Sequence, residues 1–227
     1  MALSRRPTAV LLVTLVTLLA GVLGWASPAS AVIAGADFPT RSEAKRILDG
    51  VGRWQSWTAP VEAPLRVRPA RCDLADRLAD AVESRQRGFF GRVAGLPPTV
   101  HGQANVKVYR FASQDGAKAA LRAVRSFGRD CPQSTEIFCE DCDGIVTTWR
   151  RPMRAPVVGD ASVAWRVREA SLGLARGHVV TARDGRTLVL TTVLRLRDPG
   201  AEPFTYPKAP PKQQVLRLAR LAVARAA

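Results

Sequence analysis

Residues 174–196 read LARGHVVTARDGRTLVLTTVLRL, and this stretch decides the fold. Val179, Val180, Leu188, Val189, Leu190, Val193 and Leu194 crowd either side of Asp184-Gly185. Two β-rich runs flanking Asp-Gly read as a hairpin, because that pair tolerates the left-handed backbone a two-residue type I′ turn demands. Strands are predicted over 174–182 and 187–196, with these apolar residues filling a sheet core. Upstream, residues 162–168 alternate Val163, Trp165 and Val167 with polar neighbours, and residues 145–149 offer a short strand. A further strand is predicted over 105–111, where Val106 and Val108 alternate with Lys107 and Tyr109.

Helical periodicity appears around these strands. Ser113 caps the best-defined helix, on which Ala117, Ala120, Leu121, Val124 and Phe127 repeat until Gly128 stops it. Pro211 opens a closing helix over 212–225, with Val215, Leu218, Leu221 and Ala222 inward. A short helix is predicted over 42–51, with Ala44, Ile47, Leu48 and Val51 on one face and Gly50 and Gly52 at its end. Another runs from the cap Asp73 to about Arg87, presenting Leu74, Leu78, Ala81 and Val82, with Gly88 at its end. Pro60, Pro64 and Pro69 make 53–71 an extended connection, whose Trp54 and Trp57 are expected to pack on the domain. Pro199–Pro211 reads as a linker. This order predicts α+β: one domain with an antiparallel sheet and helices packed on one face. Residues 32–71 form an N-terminal helix and extended segment, and 72–227 the body of the domain.

Arg5 and Arg6 precede an apolar run, Ala9 to Ala26, and Ala29-Ser30-Ala31 offers a cleavage site. That order reads as a secretory signal over 1–31, cut after Ala31; the alternative keeps the run as an N-terminal membrane anchor. The expected location is extracellular. The formal charge is +15, or +13 without the two signal arginines. Such a surface suits anionic lipid or an anionic cell-wall polymer. Nucleic acid is not expected, because export is expected and the basic residues are scattered rather than massed in an arm. Of the 34 basic residues 29 are arginine, and with abundant alanine this matches a GC-rich genome more than phosphate readout.

Cys72, Cys131, Cys139 and Cys142 are an even set in an exported chain, which implies two disulfides with three possible connectivities. A Cys72–Cys131 bridge would contribute about 4 kcal/mol in the chain-entropy model, and a Cys139–Cys142 bridge about 2 kcal/mol. The C-x-x-C spacing of Cys139 and Cys142 also invites a redox reading. Glu140, Asp141 and Asp143 oppose it, because neighbouring negative charge raises a thiol pKa. Zinc lacks ligands at suitable spacing, with His101 and His178 both remote in sequence.

The run Val106-Lys-Val-Tyr-Arg-Phe-Ala-Ser-Gln-Asp-Gly-Ala-Lys-Ala-Ala, closed by Cys131-Pro132, resembles the PknH-like sensor domain family. The likeness lies in a strand ending at an aromatic-x-Ser turn, an Ala-rich helix and a cysteine just after it. Phe38-Pro39, Cys72 and the Ala-rich C-terminal helix occur in the family's order, so the resemblance spans most of 37–227. It implies a single α+β domain with a ligand-binding cleft, and a Cys72–Cys131 bridge that leaves Cys139 and Cys142 to each other. The family kinase places its second disulfide near the late strands, where this chain has no cysteine.

For a ligand, Trp149 and Trp165 on short strands, with Arg150, Arg166 and Arg168 beside them, form the candidate site. Such lining suits an anionic or lipid-like molecule; packing in the core is the alternative role for each tryptophan. No nucleophile, base and orienting group stand together: His101 follows a Pro-Pro loop, His178 sits in a strand, and Gly-x-Ser-x-Gly is absent. No catalytic residue, metal or cofactor is implied. The reading is a secreted, monomeric, non-enzymatic sensor or ligand-binding domain for an unknown small molecule, lipid or anionic cell-wall component. The alternatives are a basic envelope protein retained by anionic wall polymers and a secreted hydrolase.

Overall fold

The computed structural model describes residues 32–138, 144–171, 173–202 and 205–227. The signal segment 1–31 and the pair Cys139 and Cys142 lie outside them. Among the described residues nine strands build one antiparallel sheet: β1 (Gly50–Pro60), β2 (Arg66–Arg68), β3 (Glu83–Val93), β4 (Val100–Arg110), β5 (Gln133–Ile137), β6 (Ile145–Pro152), β7 (Ala161–Ala170), β8 (Leu174–Asp184) and β9 (Thr187–Arg197). Their order is β1-β3-β4-β9-β8-β7-β6-β5-β2. The hairpin of β8 and β9 forms as expected, with its turn one residue further on. Asp184 pairs with Thr187, so Gly185 and Arg186 are the central residues, and Gly185 takes φ 53°. Glycine first in a two-residue turn is the type II′ preference, not the type I′ turn expected from Asp-Gly.

The four helices are α1 (Arg41–Ile47), α2 (Leu74–Arg77), α3 (Gln114–Asp130) and α4 (Lys212–Ala226). Ser113 caps α3 by accepting from Gly116 N at 3.1 Å. Two expected helices are shorter. α1 ends at Ile47, because Asp49 turns left-handed (φ 53°) and Val51, exposed, already belongs to β1. α2 is a single turn capped by Asp73, and the last third of its expected length, from Glu83 onward, is β3 instead. Apolar spacing allows either state over so short a run. Pairing on both sides, to β1 and β4, with Phe89 fully buried, selects the strand.

Helices cover both faces of the sheet rather than the one face expected. Side-chain alternation shows it, since neighbours along a strand point to opposite faces. Val106, Val108, Val180, Ala182, Val189 and Val193 pack with α1 and α4. Tyr109, Trp165, Val167, Leu188, Leu190 and Leu194 pack with α3 and with Leu74 and Leu78 of the α2 region. The order of elements carries no information about which face a crossover takes.

The segment expected as an extended connection supplies both edges of the sheet. β1 lies at one edge and β2 at the other, yet only residues 61–65 join them. Six peptide steps reach at most about 22 Å. Nine strands laid flat would measure roughly 38 Å across. The sheet therefore curls, bringing its edges together at that end on the α3 side.

α3 is fixed against this curl at two points. Cys131 at its end is bonded to Cys72. Gly128 does not stop the helix, which continues to Asp130; it lies beneath the buried indole of Trp165, where a Cβ would meet the ring directly. Gly128→Ala is expected to destabilise the domain by about 1–3 kcal/mol through overpacking. A denaturation midpoint equal to or above the wild-type value would contradict this contact, because the helix propensity of alanine alone favours the variant.

Candidate functional site

Strand alternation puts Gln103, Asn105, Lys107 and Tyr109 of β4 on the concave face, opposite the buried Val106 and Val108. β6 turns Val146, Thr148 and Arg150 the same way, and β7 turns Trp165, Val167 and Glu169. With Leu190, Thr192 and Leu194 of β9, Glu136 of β5 and Val124 and Phe127 of α3, they enclose a cavity of about 270 Å³. Val61, Glu62 and Pro64 of the edge-to-edge link also line it. The volume falls just below the usual range for a small-molecule site.

The wall is apolar toward α3 and charged toward β4, β5 and β7. Arg150 and Glu136 are tethered to each other: Arg150 Nη1 donates to Ser134 Oγ at 2.8 Å and Nη2 to Glu136 Oε1 at 3.4 Å. The Arg150 guanidinium lies over the Phe127 ring, 4.7 Å from the centroid. The side chains of Lys107 and Glu169 have no hydrogen bond or ion pair with a described residue. The Asn105 Oδ1 atom is buried and likewise without a partner among the described residues, although Nδ2 donates to Gln86 Oε1 at 3.3 Å.

Burial dominates the titration of these groups. It pushes Glu169 up to about 7, helped by the negative charge of Glu136 and opposed by Arg150 and Lys107. Burial lowers the Lys107 pKa, against the carboxylates of Glu136, Glu169 and Glu62. It lowers the Arg150 pKa, against Glu136 and Glu169, and raises that of Tyr109, with Glu136 adding to the effect. Strong desolvation with unsatisfied neighbours in one cavity is the physical pattern of a binding or reactive site.

The structure divides the residues expected to share a site. Trp165 and Arg150 line the cavity, Trp165 as a buried wall against Gly128. Trp149, Arg166 and Arg168 point to the opposite face, because each is one residue out of step with a cavity residue on its strand. Lys107, Glu169, Glu136 and Asn105 were not singled out by motif. Their signal is the alternation itself, since a central strand with valines on one side and Asn-x-Lys-x-Tyr on the other must bury polar groups. Neither histidine lines the cavity. His101 Nε2 sits 3.1 Å from Asp198 Oδ2, and His178 Nε2 sits 2.9 Å from the Pro210 carbonyl on the α4 face.

The architecture is a curled antiparallel sheet with a helix laid across its concave face over a cavity lined in part by polar groups. No protein-family model and no curated protein matches the chain. Among solved structures, the extracellular domain of PknH from Mycobacterium tuberculosis matches with a TM-score of 0.58 and 12% identity, over 86% of this chain and 97% of that one. A protein of Mycobacterium smegmatis matches with a TM-score of 0.39 and 12% identity, over 77% of this chain and 88% of that one. The chain has the PknH-like sensor-domain fold expected from residues 106–131, and at this identity the likeness reaches the fold alone. Among the described residues no helix is long and apolar enough to cross a membrane.

A half-buried ammonium with no side-chain partner among the described residues pays a desolvation cost that a packed apolar side chain of similar length avoids. Lys107→Met is therefore expected to stabilise the domain by about 1–3 kcal/mol, read from denaturant unfolding. A destabilised variant would mean that Lys107 is held by a partner and that the cavity is a satisfied ionic core.

Proposed function

We propose that this chain is an extracellular, non-enzymatic, sensor-like domain that binds a small polar molecule in the cavity beneath α3. The observation that carries the reading is the buried, unpartnered Asn105 Oδ1, set on one wall with the half-buried Lys107 ammonium and Glu169 carboxyl, whose side chains have no partner among the described residues. Buried polar groups are almost always paired, and those that are not mark places where something else supplies the partner. A ligand with an anionic group for Lys107 and a donor for Asn105 would satisfy them. Trp165, Leu190 and Phe127 would cover its apolar part. Glu169, pushed up to about 7, would offer either a donor or an acceptor near neutral pH.

The sensor part of the reading rests on the resemblance of residues 106–131 and on the fold shared with the extracellular domain of PknH. Export rests on the segment 1–31, whose order of charge, apolar run and small residues is that of a cleaved signal. A binding role is favoured over hydrolysis because the histidines are engaged elsewhere, His101 with Asp198 and His178 with Pro210.

Native mass spectrometry of the protein purified from its own host's culture medium tests this. A bound small molecule on the wild type, absent from Lys107→Met at unchanged fold, is expected. Bare wild-type protein, or a mass retained in full by the variant, would overturn the proposal.

A further inference from the structure

The face of the sheet opposite the cavity carries a second, separate feature. Register places Trp149 beside Arg168, Arg168 beside Arg176, and Arg176 beside Arg195, in one row across β6, β7, β8 and β9. Directly paired residues share a face, with Cβ atoms about 5 Å apart. Three arginines therefore stand side by side on adjacent strands. The next row, two residues along, adds Arg151 beside Arg166 and Arg166 beside His178.

Like charges set directly opposite one another destabilise a sheet, and nothing described neutralises these. The side chains of Arg151, Arg166, Arg168 and Arg176 make no hydrogen bond or ion pair with a described residue, and Arg151, Arg166 and Arg168 are exposed. Arg195, half-buried, feels only the more distant charge of Asp49. The one contact shared within the row is aromatic: Arg168 and Arg176 both lie over the Tyr206 ring, each 5.6 Å from its centroid.

We infer that this arginine face is a binding site for a linear acidic polysaccharide, lying across β6 to β9 between Trp149 and Tyr206. Guanidinium groups take carboxylates in bidentate pairs, and here the arginine backbone positions repeat with the strand spacing of about 4.8 Å. That interval is of the same order as the advance of one sugar in a linked pyranose chain. A single small anion would meet one or two of the five arginines, whereas a chain of uronic acids meets one row in sequence. Trp149 at one end and Tyr206 over the row supply flat apolar surfaces on which pyranose rings stack. The site is independent of the cavity, which opens on the other face.

Fluorescence anisotropy of a labelled octagalacturonate tests the assignment at physiological ionic strength. Arg168→Gln/Arg176→Gln is expected to weaken binding by roughly tenfold or more. Arg122→Gln/Arg125→Gln removes the same charge from the exposed face of α3 and is expected to change it less than about twofold, since exposed charges beyond a Debye length are screened. Melting temperatures of both variants verify their folds. Equal losses in the two pairs would show that diffuse charge alone attracts the polymer, and would overturn the site. So would absence of binding to the wild type, or complete displacement of the octamer by phosphatidylglycerol vesicles, which would assign the face to a membrane surface.

Discussion

Five residues, 61–65, carry the chain from one edge of a nine-stranded sheet to the other. Their reach is little more than half the width of the sheet laid flat, so the strands must curl until the two edges come within that reach. Everything functional in this molecule depends on that curl. It makes one face concave, turns the alternate residues of β4, β6, β7 and β9 toward a common point, and leaves a gap that α3 spans rather than fills. Cys72–Cys131 and the Trp165–Gly128 contact then hold α3 in place.

The two faces divide the labour. The α1–α4 side is a dry core of Val, Leu and Ala with Phe38, Phe89 and Trp54. That core, with the satellite cluster under α3, supplies the apolar burial that stabilises the fold. The cavity side contains groups that burial alone disfavours: an ammonium, two carboxylates, a guanidinium and an amide oxygen. A chain selected for stability alone would replace Lys107 and Glu169 with apolar residues, as buried charges rarely improve stability over well-packed isosteres. Their presence in one cavity is the physical argument for a ligand. On the outer face the arginine row poses the same question in solvent, where the cost of like charges is smaller and the partner larger.

Much of this was legible in the sequence, and the boundary has physical causes. The β8–β9 hairpin, α3 and α4 are strong local signals, because turn chemistry and helical periodicity act within a dozen residues. β3 was hidden: between Asp73 and Arg87 the apolar residues fit a helix, and only pairing with β1 and β4 decides for a strand. The proline-rich stretch after Arg53 is extended as read, but its role as both edges of the sheet is a tertiary fact. For the site, Trp149 and Trp165 stood out by residue type, yet the odd and even positions of β6 and β7 send them to opposite faces. The period-2 pattern around Lys107 held the better clue. Reading it required knowing that both faces of β4 are covered, which follows from the helices lying on both sides.

The most direct test of a desolvated polar cavity is the titration of one carboxyl group within it. Carbon-13 NMR of the glutamate side chains, assigned through Glu169→Gln, follows that group in the intact domain. The structure predicts that Glu169 titrates at about 7, set apart from the exposed carboxylates, because burial and Glu136 outweigh Arg150 and Lys107. A midpoint among the ordinary glutamates, near 4.5, would mean that water or a cation already satisfies the carboxylate, and the cavity would lose its claim to a ligand.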